Sequence, residues 1–334
     1  MGSVNTGAAP SGLELTYQAA FNLMPAILAQ TAPRRYVVPQ GFFDPRLVGG
    51  TLAEAVDIGG RASHPHCDPV RATAYITTCR LLRYKVPTYF VGRELLAAVS
   101  ASELPADLLL QDLRWPLDGM LFMLPEGALV SPSDGACPFL AVGHYPPGTN
   151  DGFPGRDLFV GPPQALITVL TTAWNSTMFA GRELVEAGRT VADVVPDDKP
   201  YDFYTVAEGS QPAGELPEDD KQFLRRVVGL SLRLVMLMSA RPELVERGGV
   251  ARPAKKGKPE LWAPNFLGKS YRIRHDAAAS GSHASPRLHW RRGHWRHQAV
   301  GPREAGGHKL LWIEPVLVAA AAPERDEGSA GAAR

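Results

Sequence analysis

Apolar residues recur at helical spacing in four places along the chain, and at strand spacing through much of the remainder. Tyr17, Phe21, Met24 and Leu28 mark an amphipathic helix over residues 13–30, kinked at Pro25. A second helix is predicted over Pro69–Tyr84 and a third over RELLAAVSA. The fourth opens at Pro217 and runs to about Arg241, where Pro242 stops it. Phe223, Val227, Leu230, Leu234 and Leu237 form its buried stripe, and Glu218, Asp219 and Asp220 suit the positive end of its dipole. RRYVVPQGFF reads as a short strand and a turn, and PTYFV as a strand. From Leu108 to Trp174 the runs GMLFMLPEG, PFLAVGHY and QALITVLTTAW, bounded by Pro, Gly, Asp and Asn, predict one largely antiparallel sheet. VADVVPDDKPYDFYTVAEGSQPAGELPEDDK is acidic and loop-like. RGGVARPAKKGKPE lacks periodicity and reads as a boundary. Beyond it SYRIRH, RLHWRRGHWRH and KLLWIEPVLV predict three strands, and AAAAPERDEGSAGAAR a disordered tail. The predicted fold class is α+β, a mainly antiparallel sheet with packed helices, plus a small basic strand-rich C-terminal module. The expected segments are an acidic body over 1–247, a basic linker over 248–270, the module over 271–319 and the tail over 320–334.

Composition supports a packed core and excludes several classes. Apolar residues make up 45% of the 334 and charged residues 21%, so the chain as a whole is not a disordered polyelectrolyte. Thirty prolines and 33 glycines predict short elements with much loop. The three cysteines, Cys67, Cys79 and Cys137, are odd in number and scattered, which argues for a reducing compartment rather than a disulfide framework. The N-terminal residues lack a basic region followed by an apolar one, and the longest apolar run, Val227–Ala240, contains Arg233. A cytoplasmic location without membrane contact is therefore expected.

Charge changes the picture. Residues 251–310 carry 13 Lys or Arg against 3 Asp or Glu, a net of +10, while the rest of the chain carries 22 against 31, a net of −9. Such asymmetry points either to an anionic partner, nucleic acid being the usual one, or to a basic patch that packs on the protein's own acidic body. Six of the nine histidines lie between His275 and His308, and four of the six tryptophans between Trp262 and Trp312, so chemistry concentrates in the same region.

Within RLHWRRGHWRHQAVGP three kinds of site compete. His289, His294 and His297 have no Cys or carboxylate among them, and strand alternation sends His294 and His297 to opposite faces, so no metal is expected there. HPHCD at His64–Asp68 has ligand types but no second cluster. No cofactor is expected either. A metal-free ribonuclease site would use His289 and His294 as base and acid, with Arg292 or Arg291 for the phosphorane charge. It requires a β-bulge at Gly293 to bring the two histidines to one face. Arg291, Arg292 and Arg296, with Lys255 and Lys256 in the linker, could instead hold phosphates beside bases stacked on Trp or His. Alternatively Trp290, Trp295 and Trp312 build the module and the arginines face a partner.

HWRRGHWR, followed by Gly301 and LLWIEPVLV, resembles the C-terminal signature of the second family of type V-A anti-CRISPR proteins. His289, Arg291, Arg292, Gly293, His294, Trp295, Gly301, Trp312 and Pro315 match that pattern. The order of elements upstream, from ATAYITTCRLLRY to DGMLFMLP, and the apolar helix ending in ARPEL resemble the family more loosely. Two departures stand out: Leu288 occupies a position where the family often has proline, and His297 follows the motif. The resemblance implies a regulator that suppresses production of a CRISPR nuclease, recognising the nascent polypeptide at the ribosome and triggering loss of its mRNA. Its implied partners are a nascent chain, the ribosome or mRNA, and a host nuclease. A basic, aromatic module that meets RNA beside an apolar groove that meets the peptide would suit that role.

Overall fold

The computed structural model describes residues 38–43, 48, 73–74, 77–78, 80–81, 86–132, 135–148, 165–172, 178–195, 218–253, 255–256, 261–277, 289–301 and 307–319. The helix expected over 13–30, HPHCD and the C-terminal tail lie outside them.

The chain enters the main sheet at β1 (Thr88–Val91), turns into α1 (Arg93–Ser100), and continues through β2 (Ser102–Glu103) to β3 (Gly119–Met123). A two-stranded pair, β4 (Val130–Ser131) and β5 (Gly135–Ala136), precedes three long strands. These are β6 (Phe139–Tyr145), β7 (Ala165–Thr172) and β8 (Met178–Val185). A short helix, α2 (Val191–Val194), and the long α3 (Glu218–Ala240) follow. Four short strands come next: β9 (Val245–Glu246), β10 (Gly249–Arg252), β11 (Leu261–Ala263) and β12 (Asn265–Leu267). The chain closes with β13 (Arg274–Ala277), β14 (His289–Arg291), β15 (Gly293–Val300), β16 (Gly307–Ile313) and β17 (Val316–Ala319).

Seven strands form one sheet in the order β8-β7-β6-β3-β1-β12-β9. The meander from β3 through β6 to β7 is antiparallel, as expected, and continues into β8, but β1 pairs parallel with both β3 and β12. The sheet is therefore mixed. All four residues of β1 are buried, the pattern of a strand covered on both faces. Alternation sorts the side chains. Tyr89, Val91, Met120, Phe122, Leu140 and Val142 face a core filled by α1 and α3. Phe90, Leu121, Met123, Phe139 and Ala141 face a smaller one with Ala74 and Leu81, both in helical conformation. Arg80, also helical, anchors to the sheet: its buried guanidinium donates to His144 O at 2.8 Å, lies 3.5 Å from Asp118 and sits over the Tyr145 ring.

α3 spans almost the predicted range, and Phe223, Val227, Leu230, Leu234 and Leu237 are all buried. Leu224, Val228, Leu232, Val235 and Met236 are buried too, so the helix is a central one rather than a surface helix with one stripe. Among the described residues no helix is long and apolar enough to cross a membrane.

Other expectations shift. Within RRYVVPQGFF, the residues expected as a strand lie mostly outside the described ones, and residues 38–43 show the turn and a single bridge from Phe42 to Pro125. β8 was not foreseen. Part of the segment read as a linker is built into the fold: β10 and β11 form a hairpin, and β12 lies beside β1. The turn from β1 into α1 permits that pairing, because a Cβ on Gly92 would stand 2.2 Å from Gly268 O. The strand expected at SYRIRH begins only at Arg274, since Ile273 N donates to Glu94 Oε2 of α1 at 3.0 Å instead of joining a ladder.

Candidate functional site

The motif strands pair as one long hairpin with a gap in the middle. β15 runs antiparallel to β16, from His294 opposite Ile313 to Val300 opposite Gly307. β14 runs antiparallel to β17, with Arg291 opposite Val316 and His289 opposite Val318. Between the two ladders lie Arg292 and Gly293 on one strand and Glu314 and Pro315 on the other, two residues against two. No residue is inserted at Gly293, so the bulge that the ribonuclease arrangement requires is not in the ladder. Pro315 lacks an amide hydrogen, which explains why pairing lapses at this point. Gly301 has φ +84° at the tip end of the hairpin, a left-handed conformation that favours glycine.

Gly293 has a different reason to be glycine. It is buried, and an added Cβ would lie 2.4 Å from Ser102 Oγ, 2.7 Å from Pro315 Cδ and 2.9 Å from Ile313 O. β2 is the parallel neighbour of β15, with Gly293 paired to Ser102 and His294 to Glu103. Ser102 is the hub of the contact. Its Oγ donates to Ala98 O at 2.9 Å and accepts from Trp312 Nε1 at 2.9 Å, while its carbonyl accepts from Arg233 Nε of α3 at 2.9 Å.

Alternation around Gly293 divides the motif. Gly293 and Trp295 are buried, whereas Arg292, His294 and Arg296 are exposed. Trp295 and Trp312 stack with centroids 6.1 Å apart and belong to the core that α3 fills. The basic strands therefore share the body's core. The Trp295 and Trp312 rings are buried and unavailable for stacking on bases.

Around Trp312 the core becomes polar. Tyr271 packs on it at 5.8 Å, and the Arg241 guanidinium lies 5.9 Å from its ring centroid. Arg241 donates to Glu314 at 2.5 Å and to Glu243, and Arg274 approaches Glu314 at 3.7 Å. Burial works against the charge on Arg241, but its hydrogen bonds to Glu243 and Glu314 outweigh it and raise its pKa. The same bond from Arg241 holds Glu243 below the usual carboxylate range. Burial, reinforced by the Glu314 charge, pushes the Tyr271 hydroxyl up to about 12. Ser102, Arg233, Arg241, Tyr271 and Glu314 were not singled out from sequence. Glu314, inside WIEP, and Arg241, inside ARPEL, stand within recognisable signals.

The sequence-derived cations occupy several settings. Arg292 Nη1 bonds to Glu103 Oε1 at 2.9 Å, and Arg272 lies 3.6 Å from Glu94. Part of the basic segment thus packs on the protein's own acidic body. Arg296 Nη2 donates to Gln298 Oε1 at 3.1 Å, and Arg291 is exposed at the end of β14. Lys255 and Lys256 are exposed on the connection between β10 and β11. Among the described residues no group of three or more His, Cys, Asp or Glu could hold a metal ion, and Cys137 is buried and in no disulfide.

Residues 89–320 match the model of the anti-CRISPR type V subtype A2 family, described as AcrVA2-like. The chain belongs to that family. The match begins in β1 and ends just beyond β17, so it takes in the central sheet and the motif hairpin together. No curated protein matches the chain.

Proposed function

We propose that this member of the type V-A2 anti-CRISPR family lowers the production of a target protein by reading its nascent chain at the ribosome and bringing about loss of its mRNA. In this reading the C-terminal hairpin is the RNA- or ribosome-facing element, and a host nuclease carries out the cleavage. The observation that supports it is the outward row Arg292, His294 and Arg296, set on a strand whose alternate residues, Gly293 and Trp295, are locked in the core. A rigid strand presenting cations at fixed spacing suits phosphate contacts, which position without reading sequence. Discrimination among transcripts then falls to recognition of the peptide.

The test is a triple charge reversal, Arg291→Glu, Arg292→Glu and Arg296→Glu, scored by co-sedimentation with translating ribosomes and by target transcript level. The expected result is loss of both at an unchanged melting temperature, with parent binding that weakens steeply as salt rises. A folded variant that still sediments with ribosomes and still represses would refute the assignment. Selective ribosome profiling with this chain as bait identifies the transcript and the chain length at engagement.

A further inference from the structure

Next to the motif, the hairpin borders a cleft of about 660 Å3. Its walls are the C-terminal end of α3, the segment Leu108–Arg114, and residues of β15 and β16. The volume lies in the range of preformed ligand sites. Buried Leu113 and Met236 give it apolar surface, and exposed Val300 extends that surface outward. Two exposed cations, Arg114 and Lys309, and one carboxylate, Asp112, complete the lining. Ser239 Oγ donates to Arg114 O at 2.6 Å and pins that wall to α3, so the cleft is held open by the fold.

A second observation concerns the strand that borders it. β16 is the end strand in the order β16-β15-β2. β15 occupies one of its edges from Ile313 to Gly307. Among the described residues no strand occupies the other. Every second residue of an antiparallel strand turns its N–H and C=O away from its partner, so β16 offers a row of backbone donors and acceptors on that side. The complement of such a row, residue by residue, is another extended backbone. The two cations then decide which chain fits, since they disfavour a basic segment and favour one with carboxylates.

We propose that β16 and the adjoining cleft form a docking site for an extended polypeptide segment that adds to β16 as a strand, sets an apolar side chain in the cleft and brings a carboxylate to Arg114 and Lys309. The origin of that segment in a nascent chain rests on the function proposed above; the docking mode rests on the strand edge and the cleft.

The experiment uses the full chain and fluorescein-labelled octapeptides of alternating Leu and Glu, alternating Leu and Lys, and alternating Ser and Glu, read by anisotropy. Two further Leu/Glu peptides carry N-methyl groups at alternate amides, one in each phase. The Leu/Glu peptide is expected to bind, the Leu/Lys and Ser/Glu peptides at least about tenfold more weakly, and one N-methylated phase to lose binding while the other keeps it. Lys309→Glu combined with Arg114→Glu, both at exposed positions, is expected to reverse the preference between Leu/Glu and Leu/Lys. Equal binding of both N-methylated phases with the parent peptide overturns strand addition. An unchanged charge preference in the double variant, or no binding of Leu/Glu, overturns the site. The two proposals fail separately. A double variant with the reversed peptide preference that still represses overturns the nascent-chain origin of the segment and supports the docking mode, whereas intact peptide binding with no change in any transcript sinks the proposed function alone.

Discussion

Gly293→Ala tests whether the motif glycine is fixed by packing. A Cβ at this position meets Ser102 Oγ at 2.4 Å and Pro315 Cδ at 2.7 Å, both well inside contact distance. Ser102 cannot turn aside cheaply, because the same oxygen holds Ala98 O and Trp312 Nε1. Overpacking of a close contact costs about 1–3 kcal/mol, and losing the indole bond leaves a buried donor unmet at about 1–3 kcal/mol more, so a total near 3 kcal/mol is expected. For a domain of this size that corresponds to a fall in melting temperature of roughly 6–12 °C. Urea unfolding followed by tryptophan fluorescence and far-UV circular dichroism measures it, and the partner variant is Ser102→Ala. Removing the hydroxyl also removes the closest obstacle, so the double variant should be less destabilised than the two single changes combined, by about 1 kcal/mol. A Gly293→Ala protein within about 0.5 kcal/mol of the parent, or strict additivity with Ser102→Ala, would refute the packing account.

Other consequences separate the inward from the outward residues. Trp295→Ala removes a buried indole from the core shared with α3 and should cost about 3–5 kcal/mol in urea unfolding. Arg292→Ala breaks only an exposed pair with Glu103 and should change stability by less than about 1 kcal/mol in the same assay. Tyr271 has a folded pKa near 12, raised by burial and then by Glu314 above its ordinary value of 10.0, so its neutral form is the one the fold favours. Its contribution is whole below pH 10 and is lost as pH climbs toward 12, and Tyr271→Phe should flatten stability over that window. Glu243 is shifted the other way by its bond from Arg241. Its contribution is present above the ordinary carboxylate pKa of 4.5 and fades as pH falls below it, so Arg241→Met should reduce the acid dependence of stability in melts below pH 5.

Legibility in the sequence followed the range of the interactions. β1, α1, β3, β6, β7 and α3 were readable because each carries its own periodicity and its own punctuation, such as the acidic first turn of α3 and Pro242 beyond its end. β8 was not, because Gly181, Arg182 and Glu183 interrupt the pattern of MFAGRELV. It becomes a strand by pairing with β7 residue by residue. The parallel partner of β1 was hidden for the same reason. β12 is three residues long, follows Pro264, and lies in a segment whose Gly, Pro and Lys suggest a linker. The motif's tryptophans were readable as core candidates. The acceptor of the Trp312 indole, Ser102, is 210 residues away in sequence, and nothing local to VSASEL marks it.

That division bears on what the family motif can report. A strand with Gly293 and Trp295 pointing inward must point Arg292, His294 and Arg296 outward, whatever those residues do. Gly293, Trp295, Trp312 and Pro315 each have a packing reason for their identity: a forbidden Cβ, a stacked pair, an indole bond to Ser102 and a gap in the ladder. Matching them establishes that the hairpin docks on β2 and α3, and is by itself a statement about fold. Arg296 has no such constraint. Its hydrogen bond goes to Gln298 two positions along the same exposed face, and that contact gives no reason for arginine over lysine or glutamine. A functional requirement therefore shows in the outward set and not in the inward one. Arg296→Gln keeps the strand's hydrogen-bonding side chains while removing the charge, so stability should stay within about 0.5 kcal/mol. If transcript repression also stays unchanged, the cation at this position does no work at a partner, and the hairpin's role reduces to packing.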